Sequence, residues 1–196
     1  MRYPADQKAE THRQIVAAAA AEFRCKGLQG IGIAELMSQL GLTHGGFYAH
    51  FKNRDALVME ASVCAATESL DRLLAAATDV PAGKEVEAML DFYLSPAHRD
   101  DVAHGCLLPA LASEIARQSE SVRNAFTESL QTNLAKIARY MPARDSDGRM
   151  AQAMTLISGM AGGVLIARAI SDSNLSDVLL NSVRMQLLGL YSAWQA

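Results

Sequence analysis

The chain has 196 residues, half of them apolar and a fifth charged, which is enough to bury a real core and excludes a disordered or low-complexity protein. Its formal net charge of −3 lacks the overall basicity of many nucleic-acid binders, so any such binding must rest on a local patch. Residues 1–60 hold seven Lys/Arg (Arg2, Lys8, Arg13, Arg24, Lys26, Lys52, Arg54) against six acids (Asp6, Glu10, Glu22, Glu35, Asp55, Glu60), a net of +1 that leaves −4 for the remainder.

The first helix is predicted from about Lys8 to Lys26, with Ile15, Val16, Ala19 and Phe23 inward and Gly27 just past its end. Ile33, Leu36, Met37 and Leu40 then recur at helical spacing, and Gly41 suits the left-handed residue that ends a helix. Thr43 offers an N-cap hydroxyl to a further segment that carries Phe47 and Phe51 four apart on one face. The opposite face presents His44, Gly46, Tyr48 and His50. A helix, a short Gly-containing turn and a second helix describe the motif whose second member enters the DNA major groove.

Asn53 is an N-cap for a long fourth helix reaching about Ala77, and the segment from Thr78 to Gly83 breaks the pattern between the two parts of the chain. The helix-turn-helix domain is assigned to residues 1–60 and a helical bundle to 61–196. In the bundle, a helix from about Lys84 to Leu94 shows Val86, Met89, Leu90 and Tyr93 on one face, and Pro96 ends it. A helix from about Val102 to Arg117 contains Pro109, which predicts a kink or break. Another runs from about Glu120 to Tyr140. Asp145 or Ser146 is the expected cap of the next, and Ser173 or Asn174 of the last, which runs to about Trp194. The total is about nine helices. No set of alternating β-branched runs argues for a sheet, so the fold class is all-α.

The longest apolar run, Met154 to Ala167, is interrupted by Ser158 and three glycines and is too short to span a bilayer, so no membrane partner is expected. Three scattered cysteines (Cys25, Cys64, Cys106) show no metal spacing and read as reduced thiols; with no basic-apolar leader at the start, the expected location is cytoplasmic. Gly159, Gly162 and Gly163 predict close helix approach, within the bundle or across a dimer contact. The last two helices, with Leu156, Ile157, Val164, Leu179, Val183, Leu187, Leu190 and Trp194, are expected to form that contact.

Gly41-Leu42-Thr43-His44-Gly45-Gly46-Phe47-Tyr48-Ala49-His50-Phe51, preceded by a helix of about 20 residues and followed by Lys52-Asn53-Arg54-Asp55, resembles the N-terminal domain of the TetR family of transcriptional regulators. The Gly105-Cys106-Leu107-Leu108 segment is similar as well. The resemblance implies a homodimeric, DNA-binding transcriptional regulator, most often a repressor that reads a palindromic duplex operator and releases it on binding a small effector. It implies Thr43, Tyr48, His50 and Lys52 on phosphates, with His44, Gly46 and Phe47 near base edges. Phosphate contacts fix register and base-edge contacts select sequence. Phe47 and Phe51 are also core candidates. Family members commonly carry Ser or Thr at Gly32, Lys at His44 and Thr at Gly46. His44 and His50 predict operator affinity that rises from about pH 8 to about pH 6.

The effector is expected in the bundle, near Met89, Phe92, Tyr93, His104, Cys106, Leu107, Met154 and Met160, because ligand pockets are mostly apolar with a few polar groups. No cofactor or metal is expected; His44 and His50, six apart on a helix, make awkward joint ligands. The rival readings are an all-α sensor or interaction protein without DNA binding, and an all-α enzyme. The enzyme is disfavoured because no Glu-x-x-His pair, nucleophile elbow or Walker loop occurs.

Overall fold

Apolar residues at helical spacing fold into nine α-helices and two short 3₁₀ helices, with no strand, among residues 5–195 that the computed structural model describes. Arg2, counted among the N-terminal cations, lies outside that range. The helices are α1 (Ala5–Lys26), α2 (Ile33–Gln39), a 3₁₀ helix (His44–Ala49), α3 (Arg54–Ala76), α4 (Glu85–Tyr93), α5 (Pro96–Asp100) and α6 (Leu107–Ile115). They continue with α7 (Glu120–Ile137), the 3₁₀ turn Ala138–Tyr140, α8 (Ser146–Ala169) and α9 (Ser173–Gln195).

Two hydrophobic cores form. The first gathers Ile15, Ala19 and Phe23 of α1, Leu36 and Met37 of α2, Phe47 and Phe51, and Leu57, Val58 and Ala61 of α3. Leu107, Leu111 and Ile115 of α6 complete it. The second packs Leu70 and Leu73 of α3 against Met89, Leu90 and Tyr93 of α4, Leu134 and Ile137 of α7, Leu156, Met160 and Val164 of α8, and Leu180 of α9. Helix α3 therefore serves both cores, its first half the one and its last turns the other.

The chain punctuation follows its polar residues. Asn53 Oδ1 accepts from Ala56 N–H at 2.9 Å and starts α3, and Asp145 Oδ1 accepts from Gly148 N–H at 2.7 Å and starts α8. Gly27, at φ 80°, ends α1 in the left-handed region, where a Cβ would also collide with the Glu114 carboxylate of α6 at 2.7 Å. Gly32 caps α2 with no side-chain bond.

Four expectations are corrected. The predicted helix from Val102 to Arg117 begins only at Leu107, which puts Pro109 in the first turn, where its missing N–H breaks no intrahelical bond. Pro96 does not merely end a helix but opens the short α5, whose Ser95 cap accepts from His98 N–H at 3.1 Å. The last helix is capped by neither Ser173 nor Asn174. Asp172 Oδ1 accepts from the N–H groups of Asn174 at 2.9 Å and Leu175 at 3.1 Å. Finally, much of the expected dimer face is interior: Leu156 and Val164 are fully buried. Val183 and Leu187 of α9 lie where a Cβ on Gly163 or Gly159 would press, at 3.2 and 2.9 Å, so these two glycines let α8 and α9 approach within one subunit. Gly162 instead faces open space. Leu190 alone of that set is more than a third exposed.

By length and composition α8 is apolar enough to cross a bilayer, yet its Ala153, Leu156, Met160 and Val164 stripe lies in the second core, the behaviour of a core helix.

Because Asp172 satisfies two helix-end donors, Asp172→Ala is expected to cost about 1 kcal/mol and lower the melting temperature by roughly 2–4 °C, measured by calorimetry; Ser173→Ala should change it little.

Candidate functional sites

The helix-turn-helix edge is built on α2. Leu42 N–H and Leu40 N–H both donate to Met37 O, at 2.9 and 3.1 Å, and Gly41 takes φ 69°, so the turn closes tightly. Thr43 Oγ1 accepts from Gly46 N–H at 3.2 Å and begins the next segment. That segment is a six-residue 3₁₀ helix rather than the expected α-helix. Two consecutive glycines, each poorer than alanine in a helix interior by about 1 kcal/mol, explain the short and tightly wound form.

The segment is anchored from below. Phe47 is fully buried and stacks on Phe51 at 5.2 Å, so the expectation that Phe47 lies near base edges is overturned: its ring fills the first core and cannot reach a groove. Tyr48 lies edge-on to Phe47 at 5.2 Å and is 62% exposed. Thr43, His44 and Lys52 are exposed, and Gly46 is half-buried. His50 is half-buried, with its Nδ1 enclosed and without a hydrogen-bond partner.

The surroundings of His50 were invisible in the sequence. His12 of α1 stacks on Phe51 at 4.5 Å, lies 5.9 Å from the His50 ring, and pairs with Glu60 at 2.6 Å. Burial holds the His50 imidazole below its ordinary range, and the charges of His12 and Lys8 add to that effect. Lys8, His12, His50 and Lys52 thus form a basic edge drawn from α1 and the end of the motif. Other cations of this region are already engaged. Arg24 is buried and pairs with Glu68 at 2.9 Å, Lys26 pairs with Glu22 and Glu35, and Arg54 donates to the carbonyls of Leu28 and Ile31.

The second site is a cavity of about 50 Å³ in the bundle, walled by α3 (Ser69, Leu70, Leu73), α7 (Phe126, Leu130, Asn133), Tyr93, and the start of α6. Of the residues expected near a ligand, Tyr93, Cys106 and Leu107 line it. Met89 and Met160 are buried in the surrounding core without lining the space. Phe92 packs at the edge of the bundle core without lining the space and lies under the Arg72 guanidinium at 5.7 Å. His104 points outward and pairs with Asp101 at 2.8 Å, and Met154 is half exposed on the outer face of α8. The α3 and α7 residues were missed because they read only as ordinary amphipathic stripes. Among the described residues no group of three His, Cys, Asp or Glu side chains converges to hold a metal ion.

The joint between the sites is the Gly105-Cys106 step before α6. Gly105 O accepts from Arg24 of α1 at 3.4 Å and from Ser69 of α3 at 3.1 Å. Cys106 N–H donates to His98 Nε2 at 3.1 Å, while His98 Nδ1–H donates to Tyr93 O at 2.7 Å, which fixes a neutral tautomer. At the other end of α6, Glu114 Oε2 accepts from Leu28 N–H at 2.8 Å, in the turn just before α2.

Phe47→Ala is expected to destabilise the chain by about 3–5 kcal/mol in denaturant unfolding, as a large core truncation does. Tyr48→Ala should stay within about 0.5 kcal/mol of the parent. Equal stability of Phe47→Ala and the parent would contradict the core role.

The comparisons agree with this architecture. Residues 15–61 match the family described as "Bacterial regulatory proteins, tetR family", and residues 82–183 match "Tetracyclin repressor-like, C-terminal domain". No curated protein matches the sequence significantly. Among solved structures, a TetR-family regulator from Cytophaga hutchinsonii is 23% identical with a TM-score of 0.75, covering 93% of this chain and 96% of its own. One from Chloroflexus aurantiacus J-10-FL is 24% identical with a TM-score of 0.75 and the same coverages. One from Agrobacterium tumefaciens is 15% identical with a TM-score of 0.73, covering 94% and 98%. With the helix-turn-helix edge on one core and the cavity-bearing bundle on the other, the chain belongs to the TetR family of transcriptional regulators, DNA-binding proteins rather than enzymes.

Proposed function

We propose that this regulator is a homodimeric repressor that releases a palindromic operator when a small effector enters the bundle. The observation that carries the reading is the exposed edge formed by Thr43, His44, Tyr48 and Lys52, held rigid by the buried Phe47–Phe51 stack. In the complex, Thr43, Tyr48, Lys52 and His50 reach phosphate oxygens, and Lys8 and His12 extend that contact along α1. His44 and the backbone at Gly46 face the base edges.

Dimerisation is supported by the outer face of α8 and α9. Met154, Ser158, Gly162 and Leu165 fall on one exposed stripe of α8, and Val178, Ser182, Met185 and Gly189 on one exposed stripe of α9. Neither stripe carries a charge. Two such faces, related by a twofold axis, make a four-helix contact that sets the two recognition segments about 34 Å, one helical turn, or a multiple of it apart.

Effector response is supported by the placement of the cavity. A benzene-sized guest needs about 150 Å³, so any effector must push the cavity walls apart. Displacing α6 at Gly105-Cys106 shifts Glu114 and with it the turn before α2. The effector acts by binding the displaced arrangement more tightly than the operator-bound one.

Two outcomes test the proposal. In gel-shift or anisotropy titrations with the DNA fragment selected by the protein from a random pool, Tyr48→Ala should abolish specific binding while leaving the fold intact. Leu165→Glu should give a monomer in sedimentation and lose operator affinity by about 10²-fold or more, the loss of a linked second contact; a tight-binding monomer contradicts the dimer reading.

The pH dependence differs from the one the sequence suggested. With His50 held below its ordinary value in the free protein, the group stays neutral until the pH falls under about 6.5. A phosphate beside it favours the charged form, so binding takes up a proton and affinity rises as pH falls. The rise should continue below the ordinary imidazole value of about 6.5 and shrink in His50→Gln at constant ionic strength. The same depressed value means that the free fold loses stability as pH falls through that range, so the titration is read where the protein remains folded. An affinity flat from about pH 7.5 to about pH 5.5 contradicts this role.

A further inference from the structure

The polar atoms around the bundle cavity specify what it accepts. Ser69 Oγ–H is used on the carbonyls of Ala65 at 2.5 Å and Gly105 at 3.1 Å. Asn133 Nδ2–H donates to Ala66 O at 3.2 Å. The Tyr93 hydroxyl differs. The residue is 2% exposed and lines the cavity, and its oxygen has no hydrogen-bond partner. Its neighbour is the Cys106 thiol, at best a weak partner for a phenol. A buried phenol left without a partner costs free energy that a ligand acceptor recovers.

No ionised side chain lines the space. Two guanidinium groups act on this region without standing in the lining, and the charge of Arg168, whose Nη1 is buried without a partner, is felt at Tyr93 and Cys106. Arg168 donates to Arg99 O at 2.9 Å and His98 O at 3.3 Å and lines a separate surface cleft with Arg99 and Asp100. Arg24 is held by Glu68. A carboxylate or ammonium guest would meet no counter-charge in the wall itself, which is apolar apart from Ser69, Asn133, Tyr93 and Cys106. Burial pushes the Cys106 thiol up and holds the Tyr93 phenol well above its ordinary value, so the thiol is no thiolate nucleophile and the phenol always has a proton to donate. Phe126 and Leu130 of α7 line the space and are half-buried, and they suit a single aromatic ring.

Resting on the effector reading above, we propose that the effector is a compact, uncharged, largely apolar molecule with one acceptor oxygen, of the aryl-ketone kind, bound non-covalently with that oxygen on the Tyr93 hydroxyl.

Acetophenone, ethylbenzene and benzoate share one ring and differ only in the acceptor and the charge. Titrated into the full chain by calorimetry, acetophenone should bind, ethylbenzene more weakly, and benzoate not at all. Tyr93→Phe should lower acetophenone affinity about tenfold, the size of one neutral hydrogen bond, and leave ethylbenzene unchanged. Because it removes only an unpartnered hydroxyl, the ligand-free variant should melt no lower than the parent. Acetophenone affinity unmoved by the variant, benzoate binding as tightly as acetophenone, or no binding of either neutral probe overturns the assignment. Operator titrations separate it from the repressor reading. Tyr93-dependent acetophenone binding that leaves operator affinity unchanged sinks ligand-induced release and keeps the pocket chemistry. Operator release by a charged compound alone does the reverse.

Discussion

Everything in this molecule depends on the sharing of α3 between two cores. A helix of 23 residues contributes Leu57, Val58 and Ala61 to the helix-turn-helix and Leu70 and Leu73 to the bundle, with no flexible linker between them. Its rigidity means that neither core can repack without the other. Its N-terminal cap, Asn53, lies four residues past the 3₁₀ segment that ends at Ala49, so one helix joins the bundle to the helix-turn-helix edge.

The second tie is α6. Its apolar face, Leu107, Leu111 and Ile115, belongs to the DNA-side core, while the residue that precedes it, Cys106, lines the bundle cavity. One hydrogen-bonded step at its start collects Arg24, Ser69 and His98, and one carboxylate near its end, Glu114, holds the turn before α2. Gly105 is required there, because a Cβ would lie 2.8 Å from both Asp101 O and the Arg168 guanidinium. Such closeness makes the step a stiff connector.

The helix order, the caps at Asn53, Thr43 and Asp145, and the turn at Gly41 were legible in the sequence, since each is a local rule satisfied by neighbours within four residues. Legibility failed where distance along the chain mattered. Lys8 and His12 join His50 across some 40 positions, and nothing in either segment signals the meeting. Phe47 shared a face with Phe51 and a stretch with His44 and Tyr48, so periodicity alone left its side open; full burial decided it. The same limit explains the pocket. Tyr93 and Cys106 were visible as an inward aromatic and a thiol, but Ser69 and Asn133 carried no signal of their own until α3 and α7 were packed together. His104 and Met154 failed for the converse reason: residue type suggested a lining role, but His104 sits in the exposed turn before α6 and the phase of α8 turned Met154 outward.

The tandem glycines of the recognition segment carry one more implication. Under the docking proposed above, Gly45 and Gly46 would leave His44 as the chief side chain available for hydrogen bonding in the groove floor, with the hydroxyl, phenol and ammonium groups around it on the sugar-phosphate rails. Discrimination among DNA sequences would then shift from base-by-base pairing towards groove width and bendability, and the operator would become a matter of duplex mechanics as much as of letters.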